Sequence, residues 1–183
     1  MSTITAAQAR RALEEAELIF TPGQIEEALD AMAEAITARL GDRDPLLLPV
    51  MHGGLVPAGQ LLPRLHFPLR VDYIHATRYR ERTYGTDLQW CRHPTEPLAG
   101  RHVLLIDDIL DEGHTLAALI DWCRSQGAAE VLTAVLVYKT HGRGAGLDAD
   151  FAGLAAPDRY LFGYGMDYGG YWRNAPGIYA LAE

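Results

Sequence analysis

A strand, a helix and a second strand follow one another between residues 102 and 139, and this order constrains the fold more than any other feature of the chain. HVLLID (102–107) and VLTAVLVYK (131–139) are apolar runs of strand length. Between them, four apolar residues recur on one helical face: Leu116, Leu119, Ile120 and Cys123. Because two strands joined by a helix run parallel with a right-handed crossover, the pattern predicts an α/β fold built on a parallel sheet.

Apolar patterns before this unit extend the sheet. We predict that residues 1–40 are helical, and that the clearest helix begins at Thr21, where Thr21 and Gln24 have the spacing of a capping box. Gly41 then ends it. The next elements are predicted in the order strand, helix, strand: 45–51, 55–65 and 69–76.

Two later stretches differ from the core pattern. Residues 77–97 are polar and weakly periodic, and loops of this length in a compact domain are usually functional lids or disordered, so this stretch is a candidate moving element. From Phe151 onward the chain is rich in aromatic residues and glycine. We therefore predict one domain (1–183) with three parts: N-terminal helices (1–40), a core sheet (41–150) and a small C-terminal hood over the strand ends (151–183).

Composition and charge narrow the classes of function that the chain could have. The chain has 183 residues, of which 49% are hydrophobic and 22% charged, the balance of one globular domain. A net charge of -8 predicts no nucleic-acid partner, although a bound cation can still bring phosphate to an acidic protein. Cys91 and Cys123 are too few for a disulfide framework and too far apart for a CxxC motif. The sequence has no signal-like segment and no run of about 18 apolar residues. We therefore predict a cytoplasmic protein with no membrane partner.

The segment VLLIDDILDEGHTL (103–116) holds the strongest chemical pattern. An apolar strand leads into Asp107 and Asp108, and Asp111 follows shortly before a helix begins near Thr115. One interpretation is a solvated turn whose acids cap the helix. The other is a phosphate site, because a helix N-terminus offers backbone N–H groups to an anion. Three acids at the end of a fully apolar strand are costly to bury without such a purpose, which favours the second interpretation.

This segment resembles the substrate-binding signature of the type I phosphoribosyltransferases: an apolar strand, two acids, two apolar residues, Asp, a small residue, Gly and a hydroxyl. The resemblance implies the fold of that family, a twisted parallel sheet flanked by helices. It also implies that Asp107 and Asp108 face the ribose hydroxyls or their metal. The residues implied to hold the 5-phosphate of phosphoribosyl pyrophosphate are Asp111, Glu112, Gly113, His114 and Thr115. Glu112 departs from the family pattern and is expected to point outward.

Two further segments resemble the hypoxanthine-guanine branch of the family. VMHGGL resembles the pyrophosphate-binding loop, which implies contacts from Met51, His52 and Gly53 and a cis peptide bond between Met51 and His52. A plain Gly-Gly turn is the alternative, and this branch often has Lys at the position of His52. ATRYRERTYG resembles the loop that closes over the reacting centre, implying that Arg78 and Tyr79 approach the pyrophosphate. A solvated basic loop is the alternative there.

The C-terminal third completes the resemblance. Lys139 ends a strand in LVYKTHGR, where a lysine either reaches out to solvent or meets a ligand, and the resemblance implies a donor to the purine 6-oxo group. In DRYLFGYGMDYGGYWRN the resemblance implies Tyr160 as the aromatic that stacks on the purine and the Leu161 backbone as the reader of its edge. It implies Asp167 as a metal ligand beside the base and Arg173 as a pyrophosphate contact.

These features predict a purine-salvage enzyme that forms IMP or GMP and pyrophosphate from hypoxanthine or guanine and phosphoribosyl pyrophosphate. Mg²⁺ is the predicted cofactor, held by the hard oxygens of Asp167, Asp107 and Asp108. Asp111 is the candidate general base at purine N7. The family suggests a homodimer or homotetramer. A xanthine-directed enzyme and a non-enzymatic nucleotide-binding regulator with the same fold are the alternatives.

Overall fold

A parallel sheet organises the chain in the computed structural model, which describes residues 4–78, 88–140 and 146–182. The helices are α1 (Ala6–Glu15), α2 (Pro22–Leu40), α3 (Leu55–Leu61), continued by a 3-10 turn (Leu62–Arg64), and α4 (His114–Ser125). The strands are β1 (Glu17–Phe20), β2 (Leu46–Pro49), β3 (Arg70–Val71), β4 (His75–Arg78), β5 (Leu88–Arg92), β6 (His102–Leu110), β7 (Glu130–Lys139), β8 (Phe151–Ala156), β9 (Leu161–Phe162) and β10 (Ile178–Ala180).

Within the described residues, five strands pair in the order β3-β2-β6-β7-β8, all parallel. Successive side chains of a strand point to opposite faces, and both faces of this sheet are covered. Leu104 and Ile106 pack on the face that α2 and α3 cover, whereas Val103 and Leu105 pack on the face that α4 covers. The α/β prediction, with a parallel sheet flanked by helices, is confirmed.

The helix signals in the sequence are realised in the structure. The Thr21 side chain accepts the backbone N–H of Gln24, and the Gln24 side chain accepts the backbone N–H of Thr21, which completes the predicted capping box of α2. In α4 the four predicted core residues are buried. Both cysteines are free thiols, and burial of Cys123 in this helix raises its pKa to about 12. In the described part of the chain, no helix combines the length and apolar character needed to cross a bilayer.

The prediction that residues 1–40 are entirely helical was wrong at one place. β1 interrupts the helices and pairs antiparallel with β10, which pairs in turn with β9. We call this three-stranded unit the small sheet. A strand of four residues gives almost no local signal, and its partner lies near residue 180, so only the tertiary structure reveals it.

The predicted boundary at residue 151 was also misplaced. β8 pairs parallel with β7 and forms an edge of the core sheet, so the core extends to Ala156. The predicted hood of residues 151–183 therefore loses its first strand to the core, and it gains β1 from the predicted helical segment. The residues of β8, FAGLAA, show no alternation of apolar and polar side chains, so they carry no strand signal of their own.

The segment 69–76 is not one strand but two. β3 belongs to the core sheet and β4 to a two-stranded antiparallel unit with β5. Asp72 lies between them and accepts the backbone N–H groups of Tyr73, Thr95 and Glu96. These hydrogen bonds lower the pKa of Asp72 to about 2 despite its burial. The predicted 77–97 loop thus contains β5 and the end of β4, while residues 79–87, including Tyr79, lie outside the described residues.

Candidate functional site

The carboxyl ends of the core strands bring four predicted segments to one edge of the sheet. Because β2, β6, β7 and β8 are parallel, the residues that follow them share that edge. They include the loop after β2 with His52 and Gly53, the loop after β6 with Asp111, the last residue of β7, Lys139, and the turn after β8 with Asp158. The fold therefore collects segments that are up to about a hundred residues apart in the sequence.

The acidic pair lies within β6 rather than after it, since the strand continues to Leu110. The Asp107 carboxylate accepts the backbone N–H of Asp108 at 3.0 Å. Burial, and then the neighbouring Asp108 carboxylate, raises the pKa of Asp107 well above its usual range, and burial also raises the pKa of Asp108. A hydroxyl donor or a cation at this pair would favour its charged forms.

Two glycines let three elements meet at Asp108. A Cβ on Gly53 would collide with the Asp108 carboxylate, and a Cβ on Gly165 would collide with the carbonyl oxygen of Gly53. The peptide bond between Met51 and His52 is cis, as the resemblance implied. Sequence reasoning did not single out Gly165, because nothing in GYGMDYGG distinguishes the glycine that another loop approaches.

Arg173 connects the acidic pair with Asp167. Its Nη2 donates to Asp167 Oδ1 at 2.6 Å, and its Nη1 donates to the carbonyl oxygen of Gly165 at 2.6 Å and lies 3.9 Å from Asp108 Oδ2. The other Asp167 oxygen, Oδ2, accepts the backbone N–H of Gly170 at 2.7 Å. Predicted pyrophosphate and metal contacts are thereby brought together in one network.

The loop after β6 has the geometry of an anion site. Gly113 adopts a left-handed conformation, with φ 74°, and is the N-cap residue of α4, which begins at His114. The first backbone N–H groups of a helix lack intrahelical partners and can donate to a phosphate. The Glu112 side chain is 57% exposed and lies 3.7 Å from His114, in agreement with the expected outward direction.

Lys139 and Asp111 form a close ion pair. Lys139 Nζ lies 2.6 Å from Asp111 Oδ2, and the Lys139 side chain is only 10% exposed. A second carboxylate, Asp158 Oδ1, lies 3.8 Å from the same nitrogen. Sequence reasoning missed Asp158, since its proximity depends on the unpredicted pairing of β8 with β7. The Lys139–Asp111 pair offers a hydrogen-bond donor and an acceptor side by side.

Tyr160 presents an accessible aromatic ring, with 52% of its surface exposed. Its hydroxyl donates to the carbonyl oxygen of Asp167 at 3.0 Å, and its ring meets Tyr168 edge to face at 6.0 Å. Leu161 is buried at the start of β9. An exposed ring fixed at its hydroxyl end suits stacking on a planar ligand.

His52 has an unpredicted neighbour. Its ring meets that of His75 at 4.5 Å in a T-shaped contact, and burial together with His52 lowers the pKa of His75. His75 belongs to β4, so this contact joins the predicted pyrophosphate loop to the strand whose last residue is Arg78. The backbone of Arg78 is described, but its side chain is not.

The described residues hold no group of three His, Cys, Asp or Glu side chains that could bind a metal. The assignment of Mg²⁺ to Asp167, Asp107 and Asp108, directly or through water, stays a prediction. Asp167 nevertheless offers a hard carboxylate at the edge of the site. Such a partial ligand set fits Mg²⁺, which is commonly bound through one or two carboxylates together with substrate phosphates and water.

A parallel sheet with an acidic strand end and a helix N-terminus at the same edge is typical of α/β proteins that bind phosphorylated ligands. Residues 18–168 match the family model of the phosphoribosyl transferase domain. The chain belongs to the phosphoribosyltransferase family.

Individual relatives point to one branch of this family. The chain is 28% identical over 168 residues to the hypoxanthine-guanine phosphoribosyltransferase of Streptococcus pneumoniae, covering 91% of this chain and 93% of that protein. It is 29% identical over 163 residues to the bifunctional protein TilS/HprT of Listeria innocua, covering 88% of this chain but only 25% of that protein. The solved structure of a hypoxanthine-guanine-xanthine phosphoribosyltransferase superposes with TM-score 0.84 at 27% identity, covering 93% of this chain and 99% of that one. The resemblance to the hypoxanthine-guanine branch is confirmed.

Proposed function

We propose that this protein transfers the ribose 5-phosphate of phosphoribosyl pyrophosphate to hypoxanthine or guanine, releasing pyrophosphate and forming IMP or GMP. The observation that carries the proposal is the Lys139–Asp111 pair at the sheet edge, in a chain whose residues 18–168 match the family. A 6-oxopurine presents an acceptor oxygen beside N7, and the pair presents a donor beside an acceptor. Named relatives with this activity support the assignment.

Each part of the substrate has a complementary surface in the proposal. Backbone N–H groups at the start of α4 receive the 5-phosphate, and Asp107 and Asp108 accept the ribose hydroxyls. The cis peptide segment at Met51 and His52, together with Arg173, receives the pyrophosphate. Mg²⁺ held by Asp167 would supply positive charge to the leaving group. Tyr160 stacks on the purine while Lys139 orients its 6-oxo group.

Asp111 is proposed to accept the N7 proton as the new glycosidic bond forms. Bond formation at N9 withdraws electrons from the purine, which makes the N7 proton more acidic. The carboxylate is 44% exposed and already hydrogen-bonded to Lys139 Nζ. The ammonium group would stabilise the charged carboxylate before the reaction and the purine oxygen during it.

A steady-state assay with each purine, phosphoribosyl pyrophosphate and Mg²⁺ tests the function. We expect hypoxanthine and guanine to be converted to IMP and GMP with equimolar pyrophosphate, measured by chromatography. Xanthine belongs in the same assay, because the superposing structure is named for it as well. Absence of product from all three 6-oxopurines would reject the proposed function.

The metal role of Asp167 gives a second expected result. EDTA should abolish activity and Mg²⁺ should restore it. Asp167→Asn should raise the Mg²⁺ concentration for half-maximal activity by about tenfold, since an amide is a weaker ligand than a carboxylate. Asp121→Asn, at an 80% exposed carboxylate on α4, is the matched control and should keep the parent value. An unchanged Mg²⁺ requirement in Asp167→Asn would remove Asp167 from the ligand set.

A further inference from the structure

Helix α1 contacts the segment that carries Asp167 and Arg173. The indole Nε1 of Trp172 donates to the carbonyl oxygen of Ala9 at 2.6 Å. A second contact lies nearby, where a Cβ on Gly169 would be 2.7 Å from Cγ1 of Ile4. Both α1 and Trp172 lie outside the residues 18–168 that match the family model.

The contacted segment, residues 163–175, consists of tight turns. Tyr168 and Tyr171 exchange backbone hydrogen bonds at 2.8 and 3.0 Å, and the Ala175 N–H donates to the Trp172 carbonyl oxygen at 2.9 Å. Trp172 has φ 68°, in the left-handed region that residues other than glycine rarely adopt. Such a conformation persists where surrounding contacts fix it. The hydrogen bond to Ala9 is a contact of this kind from outside the segment.

The backbone at Trp172 sets the direction of its neighbour Arg173. The guanidinium of Arg173 donates to Asp167 and to the carbonyl oxygen of Gly165, both at 2.6 Å. A displaced Trp172 would therefore move both the predicted pyrophosphate contact and its partner carboxylate. Ala9 is 1% exposed, so α1 provides a buried and fixed acceptor for the indole.

We propose that α1, acting through Trp172, is a positioning element that holds Arg173 and Asp167 in place for the pyrophosphate end of the substrate. Trp172 is a positioning residue in this scheme, because its indole donates to α1 and its effect on the substrate passes through Arg173 and Asp167. The inference rests on the proposed function, since it assumes that Arg173 and Asp167 meet magnesium pyrophosphate. It predicts that loss of the indole donor weakens pyrophosphate binding and leaves the purine site intact.

Trp172→Phe in the full chain tests the proposal, because it keeps an aromatic ring and removes the N–H donor. Calorimetry should show magnesium pyrophosphate binding weakened about tenfold, an effect within reach of one lost hydrogen bond. In turnover, KM for phosphoribosyl pyrophosphate should rise similarly, while KM for hypoxanthine stays within about twofold. Trp122→Phe, the same change on α4, is the control and should leave both constants unchanged. Equal pyrophosphate affinities of Trp172→Phe and the parent would overturn the proposal.

Two further measurements separate positioning from general stability. Ile4→Ala removes only the contact with Gly169 made by Ile4, which lies just before α1, and should weaken pyrophosphate binding in the same direction by about threefold. If Trp172 acts through Arg173, the effect of Trp172→Phe should vanish in an Arg173→Lys background, and full additivity would contradict the proposal.

Pyrophosphate binding can be measured without catalytic turnover. A failure of the proposed function would appear as absent product from every purine, whereas a failure of this inference would appear as unchanged pyrophosphate affinity.

Discussion

Replacing Asp111 by Asn is expected to lower kcat with hypoxanthine by about 10²- to 10⁴-fold, the usual loss when a general acid or base is removed. The amide keeps the shape and an acceptor oxygen for Lys139, but it cannot take the N7 proton. The melting temperature should change little, because the Asp111 side chain is 44% exposed and ion pairs at such positions contribute little stability. Purine analogues with carbon at position 7 should likewise fail as substrates.

The competing role for Asp111 is structural. At the sequence level it could have capped the helix that follows, a role worth roughly 1 kcal/mol of stability and little rate. Gly113 is the N-cap residue of α4, and Asp111 pairs with Lys139 instead. Asp121→Asn, at an 80% exposed carboxylate on α4, is the matched control and should keep kcat near the parent value. If Asp111→Asn lowers kcat by less than about fivefold, Asp111 is not the general base, and its role is to hold Lys139.

Adenine is expected to be a worse substrate than hypoxanthine by a factor on the order of 10⁴ in kcat/KM. Its 6-amino group is a donor, and it would face the ammonium donor of Lys139. The Lys139 side chain is only 10% exposed, so little water can replace the missing acceptor. Parallel kcat/KM measurements with both bases check this expectation.

Lys139→Gln provides the comparison for that experiment, because a Gln side chain can accept from an amino group as well as donate to an oxo group. The variant should lose activity with hypoxanthine and show a discrimination against adenine that is smaller by at least about tenfold. Comparable kcat/KM for adenine and hypoxanthine in the parent would show that Lys139 does not read the 6-position.

Local sequence patterns predicted those helices and strands that are determined by residues close to them in the sequence. The capping box at Thr21 and the apolar face of α4 are properties of a few consecutive turns, and both are present in the structure. The βαβ order of β6, α4 and β7 likewise indicated a parallel sheet, because a helical crossover returns the chain to the same end of the sheet. In these cases the sequence neighbours are also the structural neighbours.

Elements that depend on distant partners escaped prediction. β1 is a strand because β10 pairs with it, and β8 joins the core because β7 lies beside it. Neither segment carries a periodicity strong enough to reveal this from its own residues. The break at Asp72 has the same origin, since two of its hydrogen-bond donors belong to residues 95 and 96.

The candidate site was predictable to the extent that the family signature fixed it. The resemblance implied the Met51–His52 cis bond, and it named both Lys139 and Asp111. It did not imply that these two side chains are hydrogen-bonded to each other. It also missed Asp158 and Trp172, whose positions follow from the β8 edge and from α1, two features outside any local motif.

The pairing of β1 with β10 has a consequence for the order in which the protein is completed during synthesis. The ribosome synthesises the chain from the N-terminus to the C-terminus. Every strand of the core sheet, from Leu46 to Ala156, is therefore made before Ile178–Ala180. Strand β1 (Glu17–Phe20) can therefore pair with β10 only after nearly the whole chain has been synthesised. The core sheet can form while the small sheet is still open, and the segments that the small sheet joins are the last part of the chain to close.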